Sequence, residues 1–284
     1  MPLNLKKVTM SDKREIERLC RDIWEGRDYL PLVFEDWVED GGFHKGTLDN
    51  KIIALDKYTR LENDVLWLEG LRVHPEHQGK GHGKEMVQKF LELIESEEEY
   101  TCLRFMTSVN NEKTISMAKE FGFKKHLELH SLMVTEEDKV HKPKLGTRGT
   151  VMESSDDRVF TRVKNSKEFE DNKGLFIKNW TAHDMTHELV KKEIGRGNCI
   201  NFRDGNSEST AFFDIYAPYK LLSIPFIMGD AEGVKKLVNY GINKMFRDGK
   251  SYLTMKTSSN HVKDAALDSG MELTRHKKAL VFQR

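Results

Sequence analysis

The chain has 284 residues, with 46 Lys and Arg against 46 Asp and Glu for a formal net charge of zero. At roughly 100 to 200 residues per domain this length predicts two domains or one large one, and hydrophobic residues at 38% plus 20 glycines supply an ordinary globular core. Because the two signs cancel, no global field gathers nucleic acid or an anionic membrane, and an anionic ligand has to be held locally.

Residues 3–9 read as a first strand, and no apolar run follows their lysines as a secretory signal would require. Asp12 to Trp24 carries Ile16, Leu19, Cys20 and Ile23 at the spacing of one helical face, with Ser11 as its cap. After the turn-prone Glu25-Gly26-Arg27-Asp28-Tyr29-Leu30-Pro31, a short helix from Leu32 to Val38 ends before Gly41-Gly42. Strands follow at Phe43–Thr47, Ile52–Thr59 and Val65–Val73, the first two joined by a hairpin-length link. A glycine-rich turn at 79–83 opens onto a helix whose face is Met86, Val87, Phe90, Leu91, Leu93 and Ile94. A strand (Thr101–Thr107), a helix (Glu112–Phe121) stopped by Gly122, and a strand (Lys124–Thr135) complete the order β-α-α-β-β-β-α-β-α-β.

Residues 136–158 are polar and interrupted, the composition of a linker. Beyond them come a strand-like run (Leu221–Met228), a helix (Ala231–Phe246), a strand (Tyr252–Thr257), a short helix (His261–Leu267) ending at Gly270, and a last strand (Glu272–Phe282). This repeats the element order of Val65 to Thr135, so an internal repeat is expected. Ser223 and Pro225 interrupt the longest apolar stretch, which falls far short of the roughly 20 residues a membrane helix needs. Cys20, Cys102 and Cys199 are odd in number and widely spaced, which favours neither a disulfide framework nor a zinc knuckle and predicts a cytoplasmic setting.

The chemistry concentrates between Leu66 and Lys84. There a strand runs into Gly79-Lys80-Gly81-His82-Gly83-Lys84 and then a helix, so free backbone N–H groups and the positive helix end converge on one turn. Arg72, Lys80 and Lys84 add positive charge. Glu85 stands where the Walker pattern needs Ser or Thr, and the G-x-G-x-G spacing departs from the dinucleotide fingerprint G-x-G-x-x-G. Gln78-x-x-Gly81-x-Gly83 after a strand ending Val73-x-Pro75 resembles the pyrophosphate loop of the GNAT superfamily of acetyl-CoA-dependent N-acetyltransferases. Asn111-Glu112-Lys113-Thr114-Ile115-Ser116-Met117-Ala118-Lys119-Glu120-Phe121-Gly122-Phe123 is similar to the second GNAT signature, an asparagine opening a short helix that closes in Gly-Phe.

The resemblance implies an α/β (α+β) fold: a GNAT-type mixed, mostly antiparallel central sheet flanked by helices, in tandem with a second, degenerate copy. Residues 1–140 would be the acetyl-CoA-binding catalytic domain, 141–158 the linker and 159–284 the degenerate domain. It further implies that Leu71 and Val73 pair with the pantetheine arm like an added strand. Arg72, Gln78, Gly79, Lys80, Gly81, His82, Gly83 and Lys84 would surround the pyrophosphate, and Asn111 would touch the cofactor near its pantetheine end. The donor would be acetyl-CoA with no metal, and the acceptor a small-molecule amine, with no nucleic acid or membrane partner, in a monomer or homodimer.

An amine acceptor is mostly ammonium at neutral pH, so a base must take a proton. Glu69 is the candidate, and strict strand alternation puts it on one face with Trp67, Leu71 and Val73. The family's thiolate-protonating tyrosine is replaced by Ala118; Ser116, a water or Tyr29 are the open substitutes. The 25–31 segment with Glu69-Gly70-Leu71-Arg72-Val73 also resembles the branch that contains the histidine N-acetyltransferases. There, Asp28 would meet an acceptor cation and Arg27 a carboxylate, with Tyr29 and Trp67 beside them. A free amino acid is then the expected acceptor class; a protein N-terminus, a lysine side chain, and a non-catalytic acyl-CoA-binding module are the alternatives.

In the second half the place of the phosphate loop is taken by Pro225-Phe226-Ile227-Met228-Gly229-Asp230-Ala231-Glu232-Gly233. Asp230 and Glu232 would repel a pyrophosphate, and Asp230 reads as an N-cap. His183 and His187, at i, i+4, have the spacing of a zincin helix but lack its glutamate and third ligand, so no metal site is expected.

Overall fold

The computed structural model describes residues 2–21, 23–26, 28–137, 150–153, 158–205, 207–216 and 219–284. The chain forms two compact units. One comprises Met1–Phe105 with Met117–Phe123 and Gln283–Arg284; the other comprises Met106–Ser116 with Lys124–Phe282.

In the first unit the elements are β1 (Asn4–Lys7), α1 (Lys13–Arg21), α2 (Leu30–Asp40), β2 (Phe43–Leu48), β3 (Lys51–Arg60), β4 (Val65–Val73), α3 (His82–Glu97) and the start of β5 (Cys102–Ser108). The helix α1 buries Ile16, Leu19 and Cys20, as its spacing predicts, but Ser11 is not the cap. A 3₁₀ turn over Met10–Asp12 precedes the helix, and the Asp12 carboxylate accepts the Thr9 N–H at 2.8 Å. Strands β1 to β5 lie in sequence order, antiparallel except for β4 and β5. A parallel neighbour needs a crossover, and α3 supplies it, burying Met86, Phe90, Leu91 and Ile94. The last two residues of the chain return to this unit, where the Arg284 and Leu103 backbones exchange hydrogen bonds at 2.9 Å.

The second unit contains the end of β5, the start of α4 (Glu112–Glu120, shared with the first unit), β6 (Lys124–Thr135), β7 (Thr150–Glu153), α5 (Val159–Lys164), α6 (Lys167–Asp171), β8 (Leu175–Lys178), β9 (Thr181–Asp184) and α7 (His187–Gly195). It continues through β10 (Cys199–Asp204), β11 (Ser207–Tyr216), β12 (Leu221–Met228), α8 (Ala231–Arg247), β13 (Tyr252–Thr257), α9 (Asn260–Asp268) and β14 (Glu272–Gln283). Strands β10, β11 and β12 are antiparallel neighbours and β12 pairs β13 in parallel, the arrangement of β2 to β5 in the first unit. The expected repeat is therefore present in topology. Strand β6 pairs with β13 here, so each unit is completed by chain from the other half of the sequence. Within the expected 141–158 linker, Thr150–Glu153 forms β7 and pairs with β10; residues 138–149 and 154–157 lie outside the described residues. Cys20, Cys102 and Cys199 are buried and form no disulfide.

Candidate active site

Strand β4 and the turn after it carry the candidate site. The β4–β5 ladder runs only from Val65↔Cys102 to Trp67↔Arg104, so no β5 partner is described for residues 68–73 along that edge. On the opposite edge β4 pairs with β3, and the register shifts between Leu55↔Arg72 and Lys57↔Glu69, one extra residue on β4. Gly70 supplies the bulge with φ +83°. A Cβ at Gly70 would meet the Trp37 indole at 2.8 Å. Gly70→Ala combines a left-handed alanine with this clash and is expected to destabilise by about 2–4 kcal/mol, read as a lower midpoint in urea with an unchanged slope.

This bulge corrects the expected strand faces. Leu71 and Val73 pack with Leu3, Ile53, Ala54 and Met86, whereas Arg72 joins Glu69 on the face toward α1 and α2. Arg72 makes a bidentate pair with Asp28, Nε to Oδ2 at 2.8 Å and Nη2 to Oδ1 at 3.0 Å, with side-chain exposures of 6% and 1%. Asp28 Oδ1 also accepts the N–H of Leu30, the first residue of α2, at 3.1 Å. The Tyr29 ring lies 5.2 Å from the guanidinium, and burial pushes its phenol up. Two residues assigned from the sequence to different ligands, Arg72 to the cofactor and Asp28 to the acceptor, are thus bonded to each other. Trp67 is a core side chain, 2% exposed, and Arg27 lies outside the described residues.

Glu69 is half-buried, and its Oε1 accepts the Thr59 hydroxyl at 2.6 Å. Burial pushes its carboxyl above the ordinary range, opposed by the Thr59 hydrogen bond and the Lys57 charge. Lys57 and Thr59 were not singled out in the sequence. The signal was there: Asp56-Lys57 directly follows the apolar Ile52-to-Leu55 run within the same strand.

Past β4, the side chain of Gln78 donates to the Val73 carbonyl at 3.0 Å. Gly79 and Gly81 have φ of +74° and +86°, and a Cβ on either would find nothing within 4 Å. Gly81 is the N-cap of α3 and has no side chain to cap it, and the first helical hydrogen bond is Glu85 N–H to Gly81 O at 3.0 Å. The N–H groups of His82, Gly83 and Lys84 therefore have no partner within the helix and point out of its positive end. Lys80 is exposed, and Lys84 pairs with Glu120 at the surface. His74, His77 and His82 line up ring to ring at 5.8 Å spacings. Asn111 belongs to the second unit, where its Oδ1 accepts the Thr114 N–H at 3.3 Å. Ala118 is buried in α4.

The corresponding turn of the second unit is filled by the chain itself. Asp230 caps α8, accepting the Gly233 N–H at 2.7 Å and the Ser207 hydroxyl. The Ser209 side chain lies so close that a Cβ on Gly229 or Gly233 would fall 1.9 Å from its Oγ. Phe226 and Met228 at the end of β12 bury in one cluster with Phe176 of β8. Asp230→Ala should cost about 0.5–2 kcal/mol of stability by denaturant titration, the loss of one cap. His183 lies on β9 and His187 begins α7, so they share no helical face. Among the described residues no His, Cys, Asp and Glu group is placed to hold a metal, and no helix is long and apolar enough to cross a membrane.

Two mostly antiparallel sheet blocks, each with one described parallel step and flanked by helices, give the GNAT-type α/β fold. The acetyltransferase (GNAT) family model matches residues 11–123. Histidine N-acetyltransferase of Scomber australasicus is 32% identical over 92 residues, 31% of this chain and 27% of that protein. Its counterpart from Oreochromis niloticus is 31% identical over 97 residues, 33% of this chain and 29% of that protein. The chain therefore matches under a third of the length of these curated relatives. A GCN5-related N-acetyltransferase from Sphaerobacter thermophilus shares the fold over 99% of this chain and 95% of its own, with TM-score 0.71 at 14% identity.

Proposed function

We propose that the protein transfers acetyl from acetyl-CoA to the primary amine of a small molecule, with a free amino acid as the acceptor class. The observation that carries this reading is the uncapped N-terminus of α3 beside the stretch of β4, residues 68–73, for which no β5 pairing is described. An anion of pyrophosphate size fits there: the N–H groups of residues 82–84 converge, no side chain crowds Gly79 or Gly81, and Lys80 is exposed. Leu71 and Val73 offer backbone groups to the pantetheine arm along the edge that β5 leaves, with Gln78 already on the Val73 carbonyl. Asn111 is assigned to the pantetheine end from the family signature alone.

Acetyl-CoA, when bound, supplies an activated thioester carbonyl. Glu69 takes a proton from the acceptor ammonium, and burial, by shifting its carboxyl upward, makes it a stronger base than an exposed glutamate. The amine nitrogen then forms the C–N bond as the C–S bond breaks, the electron pair leaves on sulfur, and the second N–H proton passes through water to the thiolate. Ala118 has no proton to give, and a thiol of pKa about 8.5 leaves adequately without an acid. On the acceptor side the buried Asp28–Arg72 pair and the Tyr29 ring form the nearest built wall, and the histidine N-acetyltransferase relatives favour an amino acid.

A thiol-release assay with acetyl-CoA against amino acids, polyamines and peptides tests this reading. Release confined to amino acids supports it, and release with peptides alone moves the acceptor to protein amines. Tight acetyl-CoA binding with no release from any acceptor leaves an acyl-CoA-binding module.

A further inference from the structure

Glu69 does not stand alone on its strand face. Thr59 Oγ1 donates to Glu69 Oε1 at 2.6 Å and accepts from Lys57 Nζ at 2.8 Å. Lys57 is fully buried, and its Nζ also donates to the carbonyls of Gly41 at 3.1 Å and Tyr58 at 3.2 Å. An ammonium has three N–H donors, and this one has three acceptors. The Trp37 ring lies 5.8 Å from Nζ and closes the site from α2. The register sets Lys57 directly opposite Glu69 and Thr59 opposite Trp67, so the three polar groups share one face.

The geometry of the donors has a directional consequence. A hydroxyl has one proton; with Lys57 on its lone pair, the Thr59 proton points at the carboxylate. We propose that Lys57 and Thr59 are positioning residues for Glu69, holding Oε1 as a standing acceptor and leaving Oε2 as the oxygen that takes the amine's proton. The inference rests on Glu69 being the base. In the step itself one proton moves, from the acceptor nitrogen to Glu69 Oε2, while the protons on Thr59 and Lys57 stay in place.

The sign of the pH effect follows from the charges around Glu69. Burial and the Asp40 carboxylate disfavour its ionised form, while the Thr59 hydrogen bond, Lys57 and Arg72 favour it. Burial pushes the Asp56 carboxyl well up and the Tyr29 phenol up as well, so neither adds a favourable charge beside Glu69. Losing the Thr59 hydroxyl or the Lys57 charge therefore raises the pH at which Glu69 becomes a base.

Infrared difference spectra, each protein minus its own Glu69→Gln version, titrate the Glu69 carboxyl without any acceptor. Thr59→Val and Lys57→Met should each move the midpoint up by about 0.5–1 pH unit, and Thr59→Ser, which restores the hydroxyl, should return it. With the best amino-acid acceptor from the thiol-release panel, the acidic limb of kcat/KM should move by the same amount in Thr59→Val. Acetyl-CoA affinity of that variant should stay within error, while its thermal midpoint should fall, because Lys57 loses one of its three acceptors. An unchanged midpoint in Thr59→Val, or a Thr59→Ser midpoint displaced as far as the valine variant's, overturns the positioning role. Full turnover in Glu69→Gln overturns the base assignment instead, and the infrared midpoints still report separately on the Lys57–Thr59 contacts.

Discussion

Glu69→Gln is expected to lower turnover with an amino-acid acceptor by about 10²–10⁴-fold near neutral pH, with acetyl-CoA affinity nearly unchanged, the range for losing a positioned general base. The split follows from where the side chain sits: Glu69 is on the α1 and α2 face of β4, whereas the cofactor would use the strand edge and the 79–84 turn. In the wild type, activity should rise with pH through the Glu69 titration, because in the proposed mechanism the carboxylate is the working form, and burial has moved it upward. That limb should be absent from the residual activity of the variant, and a retained limb would assign the base elsewhere. Stability should move the other way. A carboxyl whose folded-state pKa is raised loses stability as pH climbs from its unfolded value through the folded one. The neutral amide escapes that penalty while still accepting from Thr59, so the variant should melt at or above the wild-type temperature at pH 7.

What was legible in the sequence depends on how locally each feature is encoded. Strands β4, β6, β12 and β13 begin and end where their apolar runs and turn residues place them, because a buried strand bounded by Gly, Pro or Asn needs no distant information. The glycine turn and the bare start of α3 are equally local. The bulge at Gly70 was not, since an extra residue shows only against the register of β3. That single residue moved Arg72 away from the expected phosphate turn and onto Asp28, and moved Leu71 and Val73 off the face of Glu69. The Lys57–Thr59–Glu69 contacts were hidden for the same reason: they are cross-strand.

The region from Val159 to Tyr216 was read only as part of a second block. Its helices α5 and α6 span six and five residues, too short for a helical period to register, and they start at caps such as Ser166, which accepts the Phe169 N–H at 3.1 Å. The charge contrast between the two halves was legible, and the structure gives it a different mechanism. Asp230 does not merely repel an anion; it occupies the N–H groups an anion would need, with Ser209 packed into the glycine turn.

Gly81→Asp reproduces that arrangement in the first unit and should reduce acetyl-CoA affinity by at least about 100-fold, since a like charge held against a phosphate in a partly shielded turn costs several kcal/mol. The backbone tolerates the change. A Cβ at Gly81 meets nothing within 4 Å, and Asp is among the residues that accept the left-handed conformation seen there at φ +86°. The added carboxylate also opposes the positive end of a 16-residue helix, worth about 0.3–1 kcal/mol, so the thermal midpoint of the free protein should hold or rise. Gly81→Asn separates charge from shape: it adds nearly the same volume without the charge and should lose less than about 10-fold. Calorimetric titration of acetyl-CoA into the three proteins reads both effects. Equal losses in the Asp and Asn variants would mean that the glycine is needed for space alone, and wild-type affinity in Gly81→Asp would remove the 79–84 turn from the cofactor site.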